Sequence, residues 1–78
     1  MATAHREAGF QFRVLSRDHN PPHVHAVKGD GVVVLILGER VSVDRFVGLN
    51  PAEVRRAVKI AAANYDLLMG KWKELHEK

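Results

Sequence analysis

VVVLIL, residues 32 to 37, is the most apolar run of this 78-residue chain, and it decides the fold. The run is too short for an ordinary helix, it is rich in β-branched residues, and Gly31 and Gly38 bound it. Because β-branched side chains pack well on a pleated sheet, the run predicts the central strand of a β-sheet.

The segments around this run predict further strands. Phe10, Phe12 and Val14 alternate with more polar residues, which is the period of a half-buried strand. Glycines accept the positive φ of tight turns, so Lys28-Gly29-Asp30-Gly31 predicts a hairpin. The predicted strands lie in GFQFRVLS (9–16), HVHAVK (23–28), VVVLIL (32–37) and RVSVDRF (40–46).

The C-terminal third predicts a helix. Asn50 can cap the first free N–H groups, Pro51 has no N–H to lose, and Glu53 can reach back to the cap. Apolar residues then recur at spacings of 4 and 3, typical of a continuous helical seam. The seam consists of Val54, Val58, Ala61, Tyr65, Leu68, Trp72 and Leu75.

The length of this helix has a consequence for assembly. From residue 51 to 76 it spans about 39 Å, whereas strands of six or seven residues span about 20–23 Å. The helix therefore overhangs the sheet or bends near Asn64 or Gly70. An overhang exposes Leu68, Trp72 and Leu75, which predicts a homodimer or a partner protein there; the alternative is cover by the N-terminal residues.

These elements predict an α+β fold. We expect an antiparallel β-meander of three or four strands packed against one long C-terminal α-helix, as a single domain over residues 1–78. Residues 1–8 are polar, so we expect a loose tail. A chain this short buries only about 60% of its unfolded surface, which predicts a thin core.

Composition narrows the classes of function. The chain has no cysteine, which excludes disulfides and thiolate metal sites and fits a reducing compartment. No apolar run reaches the roughly 18 residues of a membrane span, and MATAHREAGF lacks the apolar part of a signal peptide. We expect a soluble cytoplasmic protein with no membrane association. A net charge of +3 slightly favours an anionic partner.

DHNPPHVH, residues 18 to 25, concentrates ionisable side chains beside a stiff Pro-Pro step. On a strand, His23 and His25 point to the same side, with Cβ atoms about 6.6 Å apart. Both imidazoles can converge on a phosphate, a water to be deprotonated, or a metal ion. Asp18 could fix a tautomer or add a carboxylate, and His19 could supply a third nitrogen.

This cluster has three interpretations. The histidines can form a structural polar network, a catalytic or phosphate-binding site, or a metal site. Zinc sites need three or four ligands, and only the two strand histidines have assured geometry. We therefore expect no metal and no other cofactor.

Arg55, Arg56 and Lys59 crowd the start of the helix, where cations oppose the helix dipole. This placement predicts a phosphate site at the helix N-terminus. The alternative is a solvated basic face balanced by Glu53. Other cations extend the basic surface if they share a side: Arg13, Arg17, Lys28 and Arg45.

Taken together, DHNPPHVH, the Lys-Gly-Asp-Gly turn and the Asn64-Tyr65, Leu67-Leu68 and Trp72 stretch resemble one family. This is the small prokaryotic family called domain of unknown function 4160, and the resemblance covers about residues 9 to 75. The residues of this chain that correspond to the family's motif are His19, Pro21, Pro22, His23 and His25. The resemblance implies no catalytic role for them. FVGLNPAE, before the helix, departs from many members.

The resemblance also implies a context, because the family's genes are similar to toxin–antitoxin partners. Our first hypothesis is a component of such a pair, acting on RNA or another phosphate-bearing ligand. His23 and His25, with Asp18 and His19, are the catalytic candidates, and Arg55 and Arg56 stabilise negative charge.

Two rival hypotheses come from other classes. One is a non-enzymatic interaction module that docks a second copy or a neighbouring gene's product through Leu68, Trp72 and Leu75. The other is a divalent-metal site at the histidines. The residues alone fit both an enzyme and a binding protein.

Overall fold

The computed structural model describes residues 2–15 and 20–76, and in this part of the chain five strands precede two helices. All strands pair antiparallel in chain order, so they form a meander. The α+β class is confirmed, with more strands than the three or four expected. The elements are β1 (Ala2–Glu7), β2 (Phe10–Val14), β3 (His23–Lys28), β4 (Gly31–Leu37), β5 (Val41–Val47), α1 (Pro51–Ala63) and α2 (Tyr65–His76).

The expectation of a loose N-terminal tail is wrong, because Ala2–Glu7 forms β1 at the edge of the sheet. Ala8 and Gly9, both with positive φ, connect it to β2. The sequence ATAHRE shows no apolar alternation, since an edge strand with little buried surface needs none. Its pairing with β2 could not be read from local composition.

The hydrophobic core lies between one face of the sheet and the two described helices. This face is called the covered face below. Alternate residues of the inner strands supply its sheet side, and both helices pack against them. The core consists of Phe10, Phe12, Val14, Val24, Ala26, Val33, Leu35, Leu37, Val54, Ala57, Ile60, Ala61, Leu68 and Trp72.

The opposite face of the sheet, called the open face below, carries the intervening residues of the same strands. Most of its side chains are half-buried, although Val34 is almost fully buried. Both described helices lie on the other side. The open face of the three inner strands carries Gln11, Arg13, His23, His25, Val27, Val32, Val34 and Ile36.

The expectation of one long helix is only roughly right, because the helical region bends at Asn64, one of the two places proposed, and forms two helices. Asn64 has a non-helical backbone (φ −115°, ψ 25°), and its Nδ2 donates to the Ile60 carbonyl at 2.8 Å. A side chain that bonds this carbonyl competes with the helix ladder. Beyond the bend, the Tyr65 hydroxyl donates to the Gly38 carbonyl at 2.8 Å and ties α2 to the sheet.

The bend removes the overhang. It directs α2 against β1 and β2, where Leu68 is 0% and Trp72 4% exposed. Leu75 is half-buried and packs against the same core. The expectation that these three side chains need cover from a second molecule is therefore wrong. No helix within residues 2–15 and 20–76 is long and apolar enough to cross a membrane.

The start of α1 follows the predicted capping box. The Glu53 N–H donates to Asn50 Oδ1 at 2.8 Å, and the Asn50 N–H donates to Glu53 Oε1 at 3.0 Å. The bond from the Asn50 N–H holds the pKa of Glu53 below its ordinary value, and Lys28 at 3.5 Å adds to this lowering. Glu53 thus joins the helix start to the end of β3.

Glycine at position 31 is required by packing rather than by the turn. A Cβ there would lie 2.5 Å from the Gly48 carbonyl oxygen and 2.5 Å from Leu49 Cδ2. The turn itself uses the positive φ of Gly29. The close approach of Gly31 and Gly48 brings the end of β5 against β4, and this places the start of α1.

Candidate functional site

The register of the sheet places a row of side chains across the open face. Arg13 pairs with His25, His25 pairs with Val34, and Val34 pairs with Arg45. Neighbouring strands lie about 4.8 Å apart, so these residues follow one another directly. We call Arg13, His25, Val34 and Arg45 the histidine row; His23 lies beside it, two residues along β3.

The two strand histidines lie together, as their spacing predicts. The ring centroids of His23 and His25 are 5.4 Å apart, with an interplanar angle of 30°. Their register partners, Ile36 and Val34, lie on the same face. The open face therefore holds an imidazole pair on an aliphatic floor.

The diproline turn fixes the orientation of His23. Its Nδ1 lies 2.9 Å from the Pro21 carbonyl oxygen, which can only accept, so Nδ1 carries the hydrogen. In the neutral ring this leaves the lone pair on Nε2. The Leu37 N–H donates to the Pro22 carbonyl at 2.8 Å and holds the turn against β4. The Asn20–Pro21 peptide is cis.

His25 has one ring nitrogen that is enclosed. Its Nε2 atom is shielded from solvent, whereas the His23 ring lines a surface hollow. A general acid or base must come within hydrogen-bond distance of the reacting atom. Of the two, His23 is therefore the better placed to touch a ligand.

Trp72 of α2 supports the His23 ring. Its ring centroid is 5.3 Å from that of His23, and the His76 ring stacks on Trp72 with a centroid distance of 3.8 Å. The Nδ1 of His76 lies 2.7 Å from the Trp72 carbonyl oxygen. The role of Trp72 as a support was missed, since no local pattern links α2 to the start of β3.

The two arginines of the histidine row differ in their partners. Arg13 donates through Nε and Nη2 to Gln11 Oε1, at 3.2 and 2.7 Å, so an uncharged amide holds it and its charge is not neutralised there. Arg45 donates to Asp44 at 2.8 Å, which partly neutralises its charge. Beside Arg45 lies a hollow of about 380 Å³ on the open face. It is lined by Asn20, Pro21, His23, Val34, Ile36, Asp44 and Arg45.

The basic residues of α1 lie elsewhere. Arg55, Arg56 and Lys59 line a separate hollow of about 350 Å³, which Glu7 and Ala8 of the β1–β2 hairpin complete. The structure thus brings the three predicted phosphate-binding residues together. It also places a carboxylate among them, at the turn end of the sheet.

The structure does not bring this basic cluster to the histidines. The start of α1 contacts Lys28 through Glu53, and Lys28 ends β3 whereas His23 begins it. Five residues of strand separate the two by about 17 Å. In addition, Asn50 already accepts the Glu53 N–H that an anion at the helix start would use. The single site that combined the histidines with Arg55 and Arg56 is not formed.

The other cations of the predicted basic surface also lie at two separate places. Arg13 and Arg45 share the open face with the histidines, as the extended basic surface required. Lys28 does not, because its ammonium pairs with Glu53 and lies 5.4 Å from the Phe10 ring centroid. The remaining predicted residues, Arg17, Asp18 and His19, lie outside the described residues.

Comparison with models of protein families identifies the family of this chain. The model of one family, described as domain of unknown function (DUF4160), matches residues 9–73. The chain belongs to this family. Comparison with curated proteins and with solved structures found no match for it.

The match to the DUF4160 family spans the whole histidine row, His23 and its support Trp72. It leaves out all of β1, the strand that sequence patterns also missed. Because the family's description states no activity, the role of each residue has to be argued from its geometry.

A metal site at the histidines, the alternative to the expectation of no metal, stays untested. Within residues 2–15 and 20–76, no three His, Asp or Glu side chains are grouped as a metal ion would require. His23 and His25 supply two nitrogens, and the further candidates Asp18 and His19 lie outside the residues described.

Proposed function

We propose that this DUF4160 protein binds a phosphate-bearing ligand, RNA in the first instance, on the open face of its sheet. The observation that supports the proposal is the histidine row together with His23, which set two arginines and two imidazoles beside the aliphatic side chains of Val34 and Ile36, on the sheet face opposite the hydrophobic core. The resemblance to toxin–antitoxin partners supports a role within such a pair, beside the product of a neighbouring gene.

The chemistry of the row suits single-stranded RNA. Arginine forks bind phosphate oxygens through paired N–H groups, and flat rings on a sheet provide surfaces for bases. Arg13 is the arginine to which we assign the phosphate contact, since among the residues described it is an amide, that of Gln11, which orients it. His23 is assigned the contact with the base or sugar.

Binding is better supported than catalysis by two histidines. Cleavage of RNA at its 2′-hydroxyl needs one group to take the proton and another to protonate the leaving oxygen. The Nε2 atom of His25 is shielded from solvent, so this nitrogen is not exposed to a ligand on the open face. We therefore assign His25 to positioning His23 and the row, and His23 to ligand contact.

The test is RNA binding by fluorescence anisotropy, with a labelled single-stranded oligonucleotide of mixed sequence at several salt concentrations. Arg13→Gln is expected to weaken binding and to lower the slope of log K against log salt by about 0.7, the value for one phosphate contact on a single strand. Arg55→Gln removes the same charge from the other cluster and is the matched control. It is expected to leave both quantities nearly unchanged.

The reverse result would contradict the proposal. If Arg55→Gln weakens binding while Arg13→Gln does not, the ligand lies on α1. RNA that is bound but stays intact indicates a binding module. Cleavage that is lost in the His23→Ala/His25→Ala variant assigns catalysis to the pair, and unchanged binding and activity in that variant exclude the histidines.

Two further measurements test the metal hypothesis and the toxin–antitoxin context. Metal analysis of the purified wild type and of the double histidine variant shows whether a divalent ion depends on the imidazoles. Co-purification with the neighbouring gene's product, followed by RNA-degradation assays of each protein alone, tests the toxin–antitoxin context.

A further inference from the structure

The edge strand β5 carries much of the exposed apolar surface. Of the residues described, the exposed large hydrophobic side chains are Val43, Phe46, Val47 and Leu67, at 40%, 50%, 66% and 51%. Three of these four lie on β5, which is last in the sheet order and pairs with β4 along one side. An edge strand directs N–H and C=O groups outward, where they can pair with another strand.

A bulge in β5 places its two central apolar side chains on one face. Val43 pairs with Leu35, which is fully buried on the covered face. Phe46 pairs with Val33, which is buried on the same face. Strand alternation alone would put residues three apart on opposite faces, and the register shift between Val34 and Leu35 removes that difference.

The two charged residues between them lie on the other face. Asp44 and Arg45 both line the hollow on the open face, and they form an ion pair at 2.8 Å. Along the strand the order is therefore apolar, acidic, basic, apolar, with the apolar pair on one face and the charged pair on the other. In an antiparallel second copy the same order runs in reverse, so that apolar side chains meet apolar ones and acidic side chains meet basic ones.

We infer that β5 pairs with β5 of a second copy of this chain, antiparallel, about a two-fold axis between residues 44 and 45. Asp44 of one copy then lies opposite Arg45 of the other, and Val43 lies opposite Phe46. Directly opposite side chains in an antiparallel pair share a face and interact, so both matches are favourable.

The charges select this register. A shift of one residue in either direction places Asp44 opposite Asp44, or Arg45 opposite Arg45, and like charges directly opposite destabilise a strand pair. In the matched register the two carboxylates and two guanidinium groups alternate around the axis. The interface is isologous, as expected of a closed two-fold dimer.

The dimer would have one continuous sheet. A two-fold axis perpendicular to the sheet keeps both open faces on the same side, so the two histidine rows lie on one surface. The pairing itself does not depend on the proposed RNA function.

The first test is the mass of the protein by size-exclusion chromatography with light scattering, across a dilution series. Wild type is expected at twice the 8.7 kDa of one chain. Phe46→Ser is expected to shift the mass to one chain. Leu67→Ser is the matched control, because Leu67 is equally exposed but lies on α2, and this variant is expected to remain a dimer.

The second test reverses charges. Asp44→Arg alone places arginines opposite arginines, and Arg45→Asp alone places aspartates opposite aspartates, so each variant is expected to be a monomer. An equimolar mixture of the two restores opposite charges and is expected to form a heterodimer. Circular dichroism of each variant confirms that these exposed substitutions leave the chain folded.

The inference is overturned if wild type keeps the mass of one chain throughout the series. It is also overturned if a dimer persists in Phe46→Ser and in both charge variants, because another surface then joins the copies. Heterodimer formation from two monomeric charge variants supports the proposed register.

Discussion

The two faces of the sheet are built from the same strands, yet they differ in chemistry. On the covered face, Phe12, Val24 and Leu35 are fully buried against the helices. On the open face, His23 and Arg13 stand beside aliphatic residues and are half-buried. A polar side chain under a helix would have to satisfy every hydrogen bond within the protein, whereas on an open face water can do so. The difference teaches that one side of the sheet supplies the core, while the other side carries the polar side chains on which the proposed function rests.

The largest difference between the two faces is expected when neighbouring residues on β4 are truncated. Leu35→Ala on the covered face is expected to cost about 2–5 kcal/mol, because it leaves a cavity in a filled core. Ile36→Ala on the open face removes a half-buried side chain and is expected to cost about 1 kcal/mol. Urea denaturation measures both; equal losses would show that the two faces are equally buried in solution.

A smaller effect is expected from the hydrogen bonds of the two faces. Tyr65→Phe keeps the ring but removes the hydroxyl that donates to the Gly38 carbonyl on the helix side. We expect it to lower the free energy of unfolding by about 0.5–1.5 kcal/mol.

Arg13→Gln on the open face is the comparison for this variant, and its effect on stability is expected to stay within about 0.5 kcal/mol. Thermal denaturation followed by circular dichroism measures both. A larger loss for Arg13→Gln than for Tyr65→Phe would mean that the histidine row serves stability and not ligand contact.

The smallest effect concerns the rim of the covered face, where Glu53 caps α1. Since the bond from Asn50, with help from Lys28, lowers the pKa of Glu53, its carboxylate form stabilises the folded chain. That contribution is complete above the ordinary pKa of a glutamate and is lost as the pH falls through the lowered value.

Glu53→Gln keeps an acceptor for the Asn50 N–H but carries no charge. Its Tm is expected to lie slightly below that of wild type at neutral pH, and the gap is expected to narrow in acid. Thermal denaturation across this pH range is the measurement, and two parallel curves would contradict the role of the carboxylate.

Local patterns were sufficient for the elements that bury one face strongly. The alternation of Phe10, Phe12 and Val14 located β2, and the apolar run located β4. The cap at Asn50 located the start of α1, since both of its hydrogen bonds lie within four consecutive residues. β1 was missed because its partner, rather than its own composition, makes it a strand.

The candidate site was predicted only in part, for a related reason. The pairing of His23 with His25 follows from a spacing of two residues on one strand. Arg13 and Arg45 join them through the register of three strand pairs, and Trp72 joins them through the position of α2. The basic residues of α1 formed a cluster, but at the other end of the sheet.

The sequence by itself determined which segments form β2 to β5, where the helical region begins, and that two imidazoles share a side, because these properties depend on neighbours along the chain. Only the tertiary structure decided which arginines accompany the histidines, that Leu68 and Trp72 are covered, and that the bulged β5 is left at an edge. The reason is physical: register, the bend at Asn64 and burial are set by contacts between residues distant in sequence, and these are fixed only when the whole core packs together.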